Sequence, residues 1–168
     1  MQFVLIRHPA VRVAPGTCYG RLDLDLHPDA ADAAARLAAI AESFAGRVWT
    51  SPARRCRRIA GAAAVVDDRL RELDFGNWEG LAWDAVPRAA LDAWAAAPAE
   101  FAPPCGESGA ALLARVAAFH ADLRAHGADC VVVSHGGPLK LLAALLRGAV
   151  PDLLAPAPPL GSVTTILC

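Results

Sequence analysis

The sequence predicts an α/β fold with a mostly parallel sheet, and three observations predict it. Four short apolar runs rich in β-branched residues are interleaved with helical patterns. The two longest amphipathic segments are each followed by a glycine stop. Two of the apolar runs end on a histidine, so polar groups gather where strands of a parallel sheet face a common crevice.

Taken in chain order, residues 2–6 read as the first strand, and Phe3-Val4-Leu5-Ile6 leads into Arg7-His8. Residues 29–44 read as a helix, with Leu37, Ile40, Ala41 and Phe44 at i, i+3, i+4 and i+7 and Gly46 as its stop. Residues 47–50 form a second strand. Ser51-Pro52 then opens a helix carrying Arg54, Arg55, Arg57 and Arg58. Arg54, Arg57 and Arg58 share one side by i, i+3 and i+4 spacing, whereas Arg55 points elsewhere, near the helix N-terminus where anions bind. One inward and three solvated arginines is the simplest account.

Residues 108–126 repeat the helical pattern through Leu112, Val116, Phe119 and Leu123, closed by Gly127. Residues 130–134 form a third strand, whose valines lead into Ser134-His135-Gly136-Gly137. Pro138 starts a further helix ending near Gly148, and residues 163–168 form the last strand. The proline-rich stretches 98–106 and 149–159 read as loops, which leaves residues 1–168 as a single domain.

Composition narrows the function classes. The chain is 55% hydrophobic and 20% charged with a net charge of -1, so it has no global attraction to nucleic acid or an anionic membrane. Any anion site must come from locally clustered arginines. The N-terminal apolar run is too short for a signal peptide or membrane span, and a cytoplasmic location is expected. Cys18, Cys56, Cys105, Cys130 and Cys168 are scattered and odd in number, so neither a disulfide framework nor a zinc site is expected. His27, His120 and His126 are read as structural or solvated. Trp49, Trp78, Trp83 and Trp94 are read as core or pocket wall, with Trp78 and Trp83 as candidates for the site.

Four motifs stand in order along the chain: Arg7-His8, Ser51-Pro52-x-x-Arg55, Leu70-Arg71-Glu72-Leu73-Asp74-Phe75-Gly76-Asn77-Trp78-Glu79-Gly80, and Ser134-His135-Gly136-Gly137. With Cys105-Gly106-Glu107-Ser108 and Gly161-Ser162-Val163-Thr164, the chain resembles the histidine phosphatase, or phosphoglycerate mutase-like, superfamily, branch 1. The resemblance implies a three-layer α/β/α fold of the phosphoglycerate mutase-like kind. It also implies a metal-independent phosphomonoester hydrolase with no cofactor, acting on a small phosphorylated metabolite through a phosphohistidine on His8.

Phosphoryl transfer without a metal needs fixed cations around the phosphate and an in-line nucleophile. Arg7 and Arg55 can each grip two phosphate oxygens. By resemblance, His135 adds a further donor, with Gly136 beside it as a substrate-binding candidate. One carboxyl group can protonate the leaving oxygen and later deprotonate water; resemblance gives that role to Glu72, with Glu79 in the same loop as its rival.

The sequence departs from the family just after His8. Gly-Glu-Thr and a following asparagine are replaced by Pro9-Ala10-Val11, which removes a phosphate donor. Either Arg21 or the Thr17 hydroxyl, in Thr17-Cys18-Tyr19-Gly20-Arg21, is a candidate to fill that role. The same stretch is loosely similar to α-ribazole phosphatase-like members, which makes α-ribazole 5′-phosphate the first candidate substrate. Two alternatives remain: a phosphoglycerate mutase-type phosphotransferase, and a catalytically weak module that binds phosphorylated ligands. A metallohydrolase built on His8 and His135 ranks last, because no metal-ligand spacing accompanies them. No oligomeric state is read from the chain.

Overall fold

A computed structural model describes residues 1–168. Its central sheet has five strands: β1 (Gln2–Arg7), β2 (Arg47–Thr50), β3 (Val65–Val66), β4 (Cys130–Ser134) and β5 (Val163–Leu167), in the order β3-β2-β4-β1-β5. The β2–β3, β2–β4 and β1–β4 pairs are parallel, and β5 runs antiparallel to β1. The helices are α1 (Ala31–Ser43), α2 (Arg54–Ala60), α3 (Arg88–Ala96), α4 (Gly109–His126) and α5 (Gly136–Leu146).

Alternation along the strands sorts the core into two slabs. Phe3 and Leu5 of β1 and Val132 of β4 pack with Leu112, Val116, Phe119 and Leu123 of α4 and with Leu139, Leu142 and Leu146 of α5. Val4, Ile6, Val131 and Val133 face the other way, against Leu37 and Ala41 of α1 and Cys56 and Ile59 of α2. β1 and β4 are therefore covered on both faces, which explains why they read as unbroken apolar runs. The result is the expected three-layer α/β/α fold.

Several elements differ in detail from the sequence reading. The buried stripe of α1 is Ala34, Leu37 and Ala41, while Ile40 is 38% exposed. Leu37 thus reaches into the sheet between two small residues, and Ile40 sits at the edge of the stripe. The segment begins as a 3-10 turn, Pro28–Ala30, capped by His27, whose Nδ1 accepts from the Asp29 N–H at 3.2 Å. α5 begins at Gly136, two residues before Pro138, which is tolerated in a first turn because its missing N–H has no helical partner there. The sequence reading also lacked β3 and α3. No helix is long and apolar enough to cross a membrane.

Candidate active site

Register assembles the site. Arg7 pairs opposite Ser134, so His8 and His135 leave neighbouring parallel strands at the same end, with ring centroids 5.1 Å apart at 71°. The His8 N–H donates to Ser134 O, and the Ser51 N–H beyond β2 donates to Val133 O. α2 follows directly and turns Arg55 inward; His8, Ser51, Arg55 and His135 are each at most 1% exposed. These are the C-terminal ends of parallel strands, where ligands of α/β sheets bind.

Both histidines are held neutral. The His8 Nδ1 lies 2.7 Å from Pro9 O. A carbonyl can only accept, so Nδ1 carries the proton and Nε2 keeps its lone pair. Burial, then the charge of Arg55 and more weakly that of Arg7, lowers the His8 pKa from 6.5 to about 3, with the Pro9 carbonyl pulling the other way. Burial, followed by Arg55, His8 and Arg7, holds His135 far below its ordinary range. Arg55 Nη2 donates to His135 Nδ1 at 3.3 Å, which leaves Nε2–H to donate to Ser51 Oγ at 2.8 Å. His135 therefore has both ring nitrogens engaged. The neighbouring Cys56 thiol, 3.6 Å from His135 Nε2, is pushed up to about 12 by burial.

Neutral buried histidines give stability a definite pH dependence. Below pH 6.5 the unfolded chain takes up protons that the folded chain refuses, so stability is full above 6.5 and falls as pH drops toward the folded pKa. His8 is expected to cost about 1.3 kcal/mol between pH 7 and pH 5.5. Urea unfolding at those two pH values should show wild type losing about that much more than His8→Gln. Equal losses would mean that His8 titrates normally in the folded protein.

Buried Arg55 and half-buried Arg7 are oriented without being neutralised. Arg55 donates to Leu22 O at 2.6 Å and Gly20 O at 2.7 Å and lies 5.8 Å from the Tyr19 ring centroid, while Arg7 Nη1 donates to Pro158 O at 2.5 Å. The arginine ion pairs of the molecule belong to Arg21, Arg54, Arg69, Arg71, Arg88 and Arg115, and to neither of these two. The Nε of each is buried with no hydrogen-bond partner. Cations with buried spare donors and no counter-ion are an anion site in waiting.

Two glycines open α5 against this cluster. A Cβ on Gly136 would stand 3.1 Å from Arg7 Cζ, and one on Gly137 would stand 2.3 Å from Glu72 Oε1. The Gly137 N–H donates to the Glu72 carboxylate at 3.1 and 3.2 Å, and the Leu73 N–H donates at 2.9 Å. Glu72 thus sits on the positive end of α5. Arg115 fixes the backbone that carries Glu72. It donates to the carbonyls of Arg69 and Arg71 at 2.6 Å and of Glu72 at 3.0 Å, and it grips Glu107 at 2.7 and 2.8 Å. Glu79 is occupied differently, accepting from the N–H groups of Arg21, Leu22 and Phe75 at 2.7 to 3.1 Å.

These groups border a cavity of about 400 Å³. Of the residues singled out by sequence, Arg7, His8, Thr17, Arg55, Glu72 and His135 line it. Gly136 abuts Arg7, while its neighbour Gly137 lines the cavity. Arg21 and Glu79 are outside the lining. The Arg21 guanidinium is held by Asp74 at 3.2 Å and Glu107 at 3.3 Å. One side of the cavity is apolar, where Phe75, Trp83 and Trp94 pack together, and Leu112, Leu153 and Leu154 also line it. Trp83 and Trp94 stack with centroids 6.1 Å apart at 5°, whereas Trp78 is buried behind them.

The family model for the histidine phosphatase superfamily (branch 1) matches residues 3–167. The chain belongs to that superfamily. A protein of Hydrogenobacter thermophilus provisionally named phosphoserine phosphatase 2 is 33% identical over 160 residues, covering 86% of this chain and 77% of that protein. The solved structure of a mycobacterial glucosyl-3-phosphoglycerate phosphatase superposes with a TM-score of 0.82 at 26% identity, covering 98% of this chain and 88% of that one. The α-ribazole phosphatase of Shigella flexneri superposes with a TM-score of 0.85 at 24% identity, covering 98% and 89%, and shares the fold.

Sequence reading of this histidine phosphatase gave no role to Tyr19 or Lys140, two polar residues of the cavity lining, whereas Trp94, read as core or pocket wall, does line it. Lys140 had a usable signal, since it stands four residues after Gly136 and so shares its helix face. Tyr19 lay inside a quoted motif without a role of its own.

Proposed function

We propose that this histidine phosphatase is a metal-independent phosphomonoester hydrolase that works through a phosphohistidine on His8. One observation carries the reading: a neutral His8, its Nδ1 pinned to Pro9 O, shares a cavity with the guanidinium groups of buried Arg55 and half-buried Arg7, neither of which has a carboxylate partner.

In the first step the phosphate of the ester lies against Arg7 and Arg55, whose unpartnered Nε–H groups and positive charges meet the equatorial oxygens. The His8 Nε2 lone pair forms the N–P bond, the P–O bond to the alcohol breaks, and Glu72 in its protonated form gives the departing oxygen its proton. In the second step Glu72, now a carboxylate, takes a proton from water as the water oxygen attacks phosphorus. The N–P bond breaks, and inorganic phosphate and neutral His8 are restored. His135, engaged on Ser51 and Arg55, steadies the Arg55 guanidinium. Thr17 is a further candidate phosphate donor in place of the family's lost one.

Metal independence is supported by the kind of groups present, which are cations around the phosphate position with no cluster of three His, Cys, Asp or Glu side chains that could bind an ion. The apolar, tryptophan-walled side of the cavity favours a small metabolite whose alcohol carries an aromatic or apolar group, and α-ribazole 5′-phosphate is of that kind. Steady-state assays with α-ribazole 5′-phosphate, phosphoserine and 4-nitrophenyl phosphate, before and after exhaustive chelation, test both parts. Expected are turnover unchanged by chelator and a higher kcat/KM for the aromatic esters than for phosphoserine. Loss of activity on chelation and recovery with added metal would overturn the metal-free chemistry, and preference for phosphoserine would overturn the substrate class.

A further inference from the structure

We propose that Lys140 is a specificity-determining residue: it ties down the proline-rich strap, residues 150–160, that forms one apolar wall of the substrate cavity. The inference rests on the functional reading above.

The strap cannot knit itself into the protein. Pro151, Pro156, Pro158 and Pro159 have no N–H to donate, and no helix or strand falls within it. Its ends are fixed by the Ala149 N–H on Ala144 O and the Gly161 N–H on His8 O. Between those ends, the adjoining Ser162 N–H donates to Pro159 O, and three side-chain hydrogen bonds tie the strap to the rest of the molecule. Lys140 Nζ donates to Leu153 O at 2.6 Å and Ala155 O at 2.8 Å, and Arg7 Nη1 donates to Pro158 O.

Packing adds one apolar anchor, Leu153, half-buried against the main core, and the rest of the strap is more open. Val150 is 91% exposed and Leu154 63% exposed. Behind the strap lies a second cavity of about 400 Å³, bordered by Pro156 and Pro158 and also by Lys140 and Arg7. The strap therefore runs between two cavities, and the two cations common to both set where it lies. Arg7 already belongs to the proposed phosphate site. Lys140 spends its donors on strap carbonyls instead, directly beside Leu153 and Leu154, which line the substrate cavity.

A residue acting in this way should affect the part of the substrate beyond the phosphate. The test compares phenyl phosphate with biphenyl-4-yl phosphate, whose leaving groups are of similar basicity but differ in apolar reach. Lys140→Met keeps length and apolar stem but removes the donors, and Lys140→Arg restores a cation with donors. The account predicts that Lys140→Met loses about tenfold in kcat/KM on the biphenyl ester, mainly through KM. The loss on phenyl phosphate should be several-fold smaller, and Lys140→Arg should recover most of the difference. Chymotrypsin should also cut the Lys140→Met strap at Leu153 or Leu154 faster than in wild type, with the rest of the chain equally resistant.

Equal losses on the two esters, or a loss confined to kcat, would overturn the proposal, as would unchanged strap cleavage. If wild type hydrolyses neither ester, the phosphatase reading fails first. If it hydrolyses both and the variants keep the wild-type ratio, only the role of Lys140 fails.

Discussion

His8→Ala is expected to lose at least about 10⁴-fold in kcat/KM on every phosphomonoester that wild type hydrolyses. The size of the effect follows from the lack of a substitute within the cavity. The ring nitrogens of His135 are both engaged, on Arg55 and Ser51. The Cys56 thiol stays protonated to about pH 12 and is fully buried. Binding should survive much better than turnover, because Arg7 and Arg55 remain in place. Titration calorimetry with inorganic phosphate should give an affinity within about tenfold of wild type, since the two charge-assisted guanidinium contacts persist. Activity within tenfold of wild type would remove His8 from the chemistry, and loss of phosphate binding together with activity would make its role one of assembly.

Glu72→Gln has the second largest expected effect, and it should depend on the ester. Glutamine keeps an amide oxygen to accept from the Gly137 and Leu73 N–H groups, so the local structure is retained while the transferable proton is lost. An alkyl ester must leave as a strongly basic alkoxide, and its kcat is expected to fall about 10²- to 10⁴-fold. 4-Nitrophenolate leaves without protonation, so the first turnover of that substrate should persist. The second step still lacks its base, and the phosphoenzyme should therefore accumulate. Stopped-flow absorbance should then show a burst of one nitrophenolate per chain followed by slow turnover. Equal losses on both esters with no burst would separate Glu72 from the proton transfers.

How much of this was legible beforehand depended on whether local spacing or long-range pairing decides each feature. The strands at 2–6, 47–50 and 130–134 were readable because strands covered on both faces leave unbroken apolar runs. The burial of Arg55 among exposed Arg54, Arg57 and Arg58 followed from helical spacing alone. α3 escaped because it is only nine residues long and its apolar side, Ala90, Leu91 and Trp94, is half-buried against the Trp78 cluster, too short a stripe to stand out among alanines. β3 has two residues, which is shorter than any period can register.

Arg21 shows the other limit. Its place beside Gly20 suggested a phosphate contact, but Asp74 and Glu107, distant in sequence, hold its guanidinium outside the cavity. Only tertiary pairing decides between such partners. The proton position on His8 was likewise out of reach, because it depends on the folded backbone bringing Pro9 O to Nδ1.

The central claim is covalent chemistry at His8, and chemical trapping tests it most directly. Radiolabelled phosphomonoester mixed with excess Glu72→Gln enzyme, quenched in alkali within one turnover and digested, should give label on one peptide, the one containing His8. That label should be stable to base, labile to acid, close to one per phosphomonoester supplied, and chased off by longer incubation. Label on any other residue, or none in an enzyme that still turns over, would contradict the account.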